Sequence, residues 1–462
     1  MIKTLLLIFS FSAFSWVDPD SFKSGVIELE EKVSTTKLKS SLLSGGGAIS
    51  NSSVDRILKD YKKRVDTNFS IDKYFKDRVH FWFRIYTQFT SNQVVIHDKE
   101  NLALVYNVVD FNDIANSDLN RYVKAKLQAK LSLEQTRKIK SDFTKLSKSF
   151  SNLSSSQKQL LDKVKKVFRV PSGKRRRKSF FIGLADNLRT QTGQRDMIER
   201  GVIRAIPYFP YLEEKIKLFN IPKELLAIPF LESSFNPNAH SKVGASGAWQ
   251  FMPFISSLFM PPRNKYLDYR RNIFVSSISA FDLLRENKMI LKRWDLAVTA
   301  YNSGTKHLLK AKKQFIKNKK EFNLQNYLEY YDHDHIGFAS KNFYAEFLAL
   351  VHVLAYREEI YPINQYEKES KRFKSDNINF FIAKCRINPN RIDNLLKKSS
   401  PNHRKLNMHF RDPKRNYKRG HILVSDIDLN KRSYHKVSDY LLKKVKSKYW
   451  FKKARVKKCG RL

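Results

Sequence analysis

The segment from Phe180 to Tyr361 constrains the fold more than any other part of the chain. Its apolar and aromatic residues recur at helical spacing, and short breaks of Pro, Asn and Gly separate the runs. Along this segment no alternation of apolar and polar residues persists, as it would in strands. We therefore predict a compact all-helical domain at residues 180–362 and a mainly α protein.

Two segments lie directly before this domain. Residues 54–170 have largely helical spacing, interrupted near Val94–Ile96 and Asn101, and predict a helical accessory region. Residues 171–179 combine Pro and Gly with a block of like charge, Lys174–Lys178, which repels itself and resists burial. We interpret this segment as a linker, either solvated or in contact with phosphate or carboxylate groups.

The N-terminus has the pattern of a secretory signal peptide at residues 1–15. A positive start at Met1–Lys3 is followed by the apolar run Thr4–Ser12 and by the small-x-small site Ala13–Ser15. The alternative is an N-terminal core helix. The pattern predicts export, to the periplasm or outside the cell, and residues 16–53, rich in Ser, Lys and Gly, predict a flexible leader. No later apolar run is long enough for a transmembrane segment.

The net charge is extreme, because 88 Lys and Arg face 44 Asp and Glu, which gives +44. This excess predicts a polyanionic partner. Nucleic acid, an acidic membrane surface and an anionic cell wall all satisfy that requirement. Nucleic acid is disfavoured because no recognisable binding motif is present and because the predicted signal peptide places the chain outside the cytosol.

Two short patterns leave alternatives open. Cys385 and Cys459 are the only cysteines, and they form either a disulfide or two free thiols. His333 and His335 lie two residues apart in a polar stretch, where solvated side chains are more common than a metal site. We predict no bound metal.

The segment Ile221–Glu232 carries a candidate acid. Pro222 lies near a helix N-terminus, and Leu225, Ile228 and Glu232 follow at i, i+3 and i+7. The carboxyl group then points to the packed side of the helix, where desolvation raises its pKa and lets it donate a proton near neutral pH. The alternative is a carboxylate turned outward at the edge of the apolar face.

Several motifs that follow one another along the chain support the interpretation of Glu232 as a buried acid. Together they resemble the lytic transglycosylases of the soluble-lysozyme-like superfamily, especially the membrane-bound type D group, over about Leu188 to Leu354. The motifs that carry the resemblance are Tyr211-Leu212-Glu213 with Ile221-Pro222, Glu232-Ser233-Ser234-Phe235-Asn236-Pro237, the stretch Ser241 to Pro253, and Thr299-Ala300-Tyr301-Asn302-Ser303-Gly304.

The resemblance implies a lysozyme-like fold and a single acid/base, Glu232. This residue would protonate the bond between N-acetylmuramic acid and N-acetylglucosamine and then deprotonate the muramic C6 hydroxyl, which leaves a 1,6-anhydromuramyl end. Neither a metal nor an organic cofactor is implied. The partner would be peptidoglycan, whose carboxylates and linked phosphate polymers suit the positive charge of the chain.

The resemblance also implies a set of substrate-binding residues. Ser241 and Gln250 would hydrogen-bond Glu232 or the N-acetyl group, with helix capping as the alternative for Ser241. Tyr301 and Asn302 would line the cleft near the acid, with core packing as the alternative for Tyr301. The loop glycines would allow close approach of a sugar, with turn geometry alone as the alternative. The full set is Ser241, Gly244, Gln250, Met252, Tyr301, Asn302, Phe343 and Tyr344.

The chain departs from the family pattern in two places. Phe343 stands where the family often has a tyrosine, and Tyr344 replaces it only if the helix register shifts. Asp268–Ile273 lacks the usual Asp-Pro after the paired arginines, a difference that we expect to be structural.

Residues 363–462 are strongly basic, with short mixed segments that predict a small α+β region. Within it, Arg386–Leu396 faintly resembles the second helix of a LysM wall-binding module. Two other functions stay open: a hydrolytic muramidase of the same fold, in which water is the acceptor, and a basic wall-binding protein without catalysis.

Overall fold

The computed structural model describes residues 48–331, 337–362, 378–383 and 385–429, together with strand residues Leu441 and Leu442. The predicted signal peptide, leader residues 16–47, His333, His335 and Cys459 lie outside these ranges. Cys385 is disulfide-bonded. The described residues are mainly helical, as predicted, and form two compact units. Among them, no helix combines the length and apolar character needed to cross a membrane.

The N-terminal unit comprises residues 48–62 and 71–197. Its helices and strands are α1 (Asn51–Leu58), α2 (Lys76–Thr87), β1 (Gln93–Asp98), β2 (Val105–Asp110), α3 (Asn112–Asn116), α4 (Arg121–Lys148), α5 (Ser155–Val167), α6 (Lys174–Asp186) and β3 (Leu188–Thr192). The strands form an antiparallel sheet in the order β2-β1-β3. The accessory region is mainly helical, as predicted, and the predicted interruption near Val94–Ile96 is strand β1 of this sheet, where β-branched residues favour pairing.

The core of this unit lies between the sheet and helices α4, α5 and α6. The Phe143 ring lies 5.2 Å from that of Tyr106 and 6.1 Å from that of Phe181, measured between centroids. Capping side chains fix the helix starts, with Asn120 before α4 and a Ser154–Gln157 capping box at α5.

The run predicted as a linker is helical. Lys174–Lys178 form the first turns of α6, whose later residues Phe181 and Leu184 are buried in the core of the N-terminal unit. The basic side chains remain in contact with solvent while the apolar ones anchor the helix, so charge repulsion did not prevent helix formation. The boundary predicted at residue 180 also differs from the structure, because the N-terminal unit extends to residue 197.

The C-terminal unit comprises residues 63–70 and the described residues from Ile198 onward. After α7 (Arg195–Ala205), its helices are α8 (Phe209–Phe219), α9 (Ile228–Ser233), α10 (Pro253–Phe259), α11 (Ile273–Leu291), α12 (Trp294–Ser303), α13 (Thr305–Lys317), α14 (Leu324–Tyr330), α15 (Phe338–Ala355) and α16 (Arg357–Ile360). Helix α15 is buried along almost its whole length, and α9 and α12 pack against it. The predicted mainly helical character is confirmed for residues 198–331 and 337–362.

The short segment Lys63–Ser70 also belongs to this unit. Phe69 is fully buried, and its ring meets that of Phe347 edge to face, with centroids 5.6 Å apart. Arg64 Nη1 donates to the carbonyl of Ala355 over 2.9 Å. The prediction that placed this segment in the accessory region was wrong, because local spacing carries no information about a partner so far along the chain.

Residues 378–429 form an α+β region, as predicted. Strand β4 (Asn379–Ala383) is followed by helices α17 (Pro389–Leu396) and α18 (His403–Leu406) and by strand β5 (Ile422–Ser425), and β6 (Leu441–Leu442) completes the sheet in the order β5-β4-β6. Strands β4 and β5 are antiparallel. The segment compared with the second LysM helix contains α17, which is the first of the two helices described between β4 and β5.

We expect Phe69→Ala to destabilise the C-terminal unit by about 3–5 kcal/mol, because it removes a buried aromatic ring. Hydrogen exchange in peptides from α15 should then accelerate. The matched variant Phe143→Ala should accelerate exchange in α4 and α6 instead. Faster exchange in α4 and α6 of the Phe69→Ala protein would contradict the assignment of residues 63–70.

Candidate active site

Glu232 lies at the end of two consecutive helical turns. A 3-10 helix (Lys223–Ala227) begins after Pro222 and leads directly into α9. Leu225 and Ile228 are fully buried, and Glu232 is only 8% exposed. The predicted burial of Glu232 is thus confirmed, but the segment is buried on every side from Glu224 to Glu232 and not along one stripe.

The turn after Glu232 is strained. Ser234 and Phe235 have φ angles of 51° and 57°, in the left-handed region that costs non-glycine residues roughly 1–2 kcal/mol each. Arg204 Nη2 donates to the Ser234 carbonyl over 2.6 Å. A Cβ on Gly201 would lie 2.6 Å from the same oxygen, so only glycine allows α7 to approach this closely. Backbone strain of this kind concentrates at functional sites.

The loop from Ser241 to Phe251, called the motif loop below, folds back toward α9. Ser241 Oγ accepts the Ala245 N–H over 2.9 Å, which closes a turn and replaces the helix-capping alternative. Ser233 Oγ, next to Glu232, donates to the Ala248 carbonyl over 2.8 Å. The motif loop is therefore bonded to the helix that carries the acid.

Arg270 holds both ends of the motif loop. Its Nη1 donates to the carbonyls of Gly244 and Phe251 over 2.7 and 2.9 Å. Asp268 fixes the guanidinium through Nε and Nη2 at 2.9 and 2.7 Å. Burial acts to raise the pKa of Asp268, but the hydrogen bonds and charge of Arg270 outweigh burial and lower that pKa. The sequence identified Asp268–Ile273 as structural but not this clamp.

Gly247 packs directly on the clamp. Its φ is +81°, and a Cβ there would lie 1.7 Å from the Arg270 carbonyl oxygen. Gly244 also has a positive φ, +91°, but a Cβ would meet only Pro253, at 3.5 Å. The expected tight turns are present, and at Gly247 a close approach of two backbone segments requires glycine.

Gln250, also in the motif loop, has a buried hydrogen-bond acceptor. Its side chain is 8% exposed, and Nε2 donates to the Gly247 carbonyl over 2.7 Å. Oε1 is buried and accepts no hydrogen bond from any residue that the structure describes. A buried acceptor without a partner is costly unless a ligand supplies the donor.

Tyr301 connects the motif loop to α12. Its hydroxyl donates to the Trp249 carbonyl over 2.7 Å, and its ring lies 6.2 Å from that of Phe251. Burial raises the pKa of Tyr301, and the charge of Glu232 raises it further. Tyr301 is therefore within electrostatic range of Glu232.

The remaining residues of the predicted set are dispersed. Phe343 and Tyr344 are both buried in α15, and the Tyr344 ring stacks on Phe347 with centroids 5.8 Å apart. Asn302 is partly buried near the end of α12. Met252 is partly buried and caps the start of α10. Their part in binding substrate stays a prediction.

A second carboxyl group lies near the acid. Burial raises the pKa of Glu232 to about 8, and the charge of Glu346 is the second cause. Glu346 is itself buried, on α15. Glu232 is consequently mostly protonated at neutral pH. The sequence did not indicate Glu346, because no motif or local spacing connects it to Glu232.

Comparison with known proteins now gives this arrangement a family context. Residues 211–324 match the family model described as the Transglycosylase SLT domain. The matched residues, called the SLT segment below, include Glu232, the motif loop, Arg270 and Tyr301. Glu346 and residues 378–429 lie beyond the SLT segment.

Two individual relatives are similar to part of this chain. The membrane-bound lytic murein transglycosylase D of Escherichia coli (strain K12) is 37% identical over 110 residues, which are 24% of this chain and 24% of that protein. The "Putative tributyltin chloride resistance protein" of Alteromonas sp. (strain M-1) is 34% identical over 117 residues, 25% of this chain and 56% of that protein. The similarity to the Escherichia coli protein thus spans about a quarter of its length.

We expect Glu346→Gln to lower the pKa of Glu232 below 8, because it removes a nearby negative charge. The pKa should remain above the ordinary value of about 4.3, since burial is the larger cause. Carbon-13 NMR of labelled glutamate side chains, assigned with Glu232→Gln, measures the shift. Glu224→Gln, which removes another buried carboxyl of the unit, serves as control; an equal shift there would contradict the pairing.

We expect Gly247→Ala to lower the free energy of unfolding by about 2–4 kcal/mol, because the new Cβ collides with the Arg270 carbonyl at a left-handed φ. Gly244→Ala should cost only about 1 kcal/mol, since backbone strain acts there without a collision. Chemical denaturation of both variants measures the difference. Equal losses would show that the motif loop does not depend on its approach to Arg270.

Proposed function

We propose that this protein is a peptidoglycan lytic transglycosylase that cleaves the β-1,4 bond between N-acetylmuramic acid and N-acetylglucosamine and leaves 1,6-anhydromuramic ends. The observation that carries the proposal is a buried carboxyl, Glu232, whose pKa is raised to about 8 within the SLT segment. The relative from Escherichia coli is named for murein transglycosylase activity.

In the first step, protonated Glu232 donates its proton to the glycosidic oxygen. The bond from that oxygen to the anomeric carbon breaks, and positive charge develops on the muramic ring. A raised pKa suits this step, because a general acid must still hold its proton near the working pH.

In the second step, the Glu232 carboxylate accepts the proton of the muramic C6 hydroxyl. The C6 oxygen bonds to the anomeric carbon, so the acid is regenerated and no water is consumed. The N-acetyl carbonyl of the substrate stabilises the intervening positive charge. One carboxyl group therefore serves as acid and then as base.

The buried acceptor of Gln250 supplies a contact for the substrate. Oε1 has no donor among the described residues, and an N-acetyl amide N–H is a donor that the glycan provides at every sugar. Because Nε2 is held by Gly247, the amide cannot rotate freely. We assign Gln250 to recognition of an N-acetyl group, with Tyr301 completing the wall near Glu232.

Glu346 favours a second candidate function, a hydrolytic muramidase. Most glycosidases use two carboxyl groups, one as acid and the other as base or nucleophile. The charge of Glu346 acts on Glu232, so the site contains a second acid that could activate water. The product distinguishes the two reactions, because hydrolysis leaves reducing ends.

The charge of the chain fits an anionic substrate. Muramic lactyl groups, stem-peptide carboxylates and linked phosphate polymers would attract a protein of net charge +44. Exposed basic side chains such as those of α6 would concentrate the enzyme at the wall. Export to the periplasm or beyond, directed by the predicted signal peptide, and wall binding by residues 363–462 belong to the same proposal.

The test is mass spectrometry of soluble products from purified sacculi treated with the protein, Glu232→Gln or Glu346→Gln. We expect 1,6-anhydromuropeptides from the unchanged protein and from Glu346→Gln, and at least a thousandfold less from Glu232→Gln. Reducing ends that disappear in Glu346→Gln would establish a hydrolase. Binding to sacculi without products from any of the three proteins would indicate a wall-binding protein.

A further inference from the structure

We propose that the C-terminal α+β region, residues 378–429, is a fixed part of the catalytic frame, and that His409 is a positioning residue that acts on the motif loop through Asp268–Asn272. This inference rests on the proposed function for its kinetic test. A structural test by hydrogen exchange does not depend on activity.

Backbone contacts join the two parts. The Asp268 N–H donates to the His409 carbonyl over 2.9 Å, and the Arg411 N–H donates to the Tyr266 carbonyl over 2.8 Å. Leu267 and Phe410 form a β-bridge between these bonds. Residues 266–268 and 409–411 therefore pair like two short strands, an attachment far more rigid than a flexible tether.

His409 is the centre of the contact. It is completely buried, and its ring stacks on that of Tyr269 with centroids 4.8 Å apart. Asn272 Nδ2 lies 2.9 Å from His409 Nδ1, and His409 Nε2 lies 2.8 Å from the Ile422 carbonyl. Because an amide nitrogen can only donate, Nδ1 accepts and Nε2 carries the proton. Burial lowers the pKa of His409 to about 3, so the ring stays neutral.

Tyr269 and Asn272, which flank Arg270 and Arg271, are both hydrogen-bonded to the C-terminal α+β region. The Tyr269 hydroxyl accepts the Ile422 N–H over 2.9 Å. Asn272 Nδ2 also lies 2.7 Å from the Leu406 carbonyl, while its Oδ1 accepts the Val275 N–H and caps α11. With both neighbours held, the backbone at Arg270 has little freedom.

Arg270 connects these fixed residues to the motif loop. Its guanidinium binds the carbonyls of Gly244 and Phe251, and Gly247 packs against its carbonyl oxygen. The motif loop in turn presents Gln250 and the Trp249 carbonyl, which holds the Tyr301 hydroxyl. A displacement of about 1 Å at such positions is enough to reduce a reaction rate on the order of a hundredfold.

This arrangement makes a prediction that a wall-binding role does not. A binding module separate from the site would change affinity for intact sacculi and leave the cleavage of short soluble glycans untouched. A positioning region changes kcat on both substrates, because it acts on the geometry of the site, whether or not the same region also binds the wall.

The kinetic test compares His409→Phe with His403→Phe. The first keeps a ring against Tyr269 but removes both hydrogen bonds. The second removes an equally buried imidazole of the same region, bonded to Asp393 and Asn407. On short soluble glycan strands we expect His409→Phe to lower kcat about 10- to 100-fold with KM within twofold, and His403→Phe to leave kcat within about threefold.

A double-mutant cycle tests the route. Arg270→Lys keeps a positive charge beside Asp268 but cannot reproduce the fork that binds two carbonyls. If His409 acts through Arg270, the double variant should be little worse than Arg270→Lys alone. Fully additive losses in kcat would overturn this route.

The structural test is hydrogen exchange of peptides covering residues 241–252, measured without substrate. We expect at least tenfold faster exchange in His409→Phe than in His403→Phe. His409→Gln, which keeps a donor for the Ile422 carbonyl, should restore part of the protection and covers the case in which the phenylalanine variant does not fold. Unchanged exchange at residues 241–252 in His409→Gln and His409→Phe would refute positioning, whereas inactivity of the unchanged protein would refute only the proposed function.

Discussion

The burial of one ionisable group, the Glu232 carboxyl, is the constraint on which the rest of the site depends. Apolar surroundings favour the neutral form of a carboxyl group over the charged form. The pKa of Glu232 is therefore raised to about 8. In the unfolded chain the same group would titrate near 4.3. The contribution of Glu232 to the free energy of unfolding is therefore fully present below about pH 4 and is lost as the pH rises through about 8. The property that suits Glu232 to proton donation thus makes the folded state less stable in mildly alkaline solution.

The backbone around Glu232 is held by several hydrogen bonds and close contacts. Arg204 and Gly201 hold the left-handed turn at Ser234, and Ser233 bonds the same turn to the motif loop. Arg270 closes the motif loop from the opposite side. These supports are hydrogen bonds or close backbone approaches, both of which are lost after small displacements. The site is therefore preorganised, and little of its order has to be created when a glycan binds.

Local patterns predicted the parts of this structure that depend on local geometry. The i, i+3, i+7 spacing correctly predicted that Glu232 is buried, although the whole segment Glu224–Glu232 is buried and not one side of it. The glycines of the motif loop indicated turns that are present. The contacts of Arg270 with the motif loop, and the approach of Glu346 to Glu232, join residues that are brought together only by tertiary folding. The periodicity of a single sequence does not reveal such pairs. The linker prediction failed for a different reason. Charge repulsion argues against burial, but a helix can bury one face and leave Lys174–Lys178 in solvent.

The position of Phe69 in the core of the C-terminal unit has a consequence for how the chain reaches its fold. Residues 63–70 are made early, yet the α15 residue that packs on Phe69 follows about 280 residues later. At ordinary rates of synthesis, this delay is on the order of half a minute. The intervening residues 71–197 belong to the N-terminal unit, which therefore has its sequence complete while the C-terminal unit still lacks most of its helices. The unit that carries Glu232 is thus completed only after residues 63–70 meet α15 across a long stretch of intervening chain.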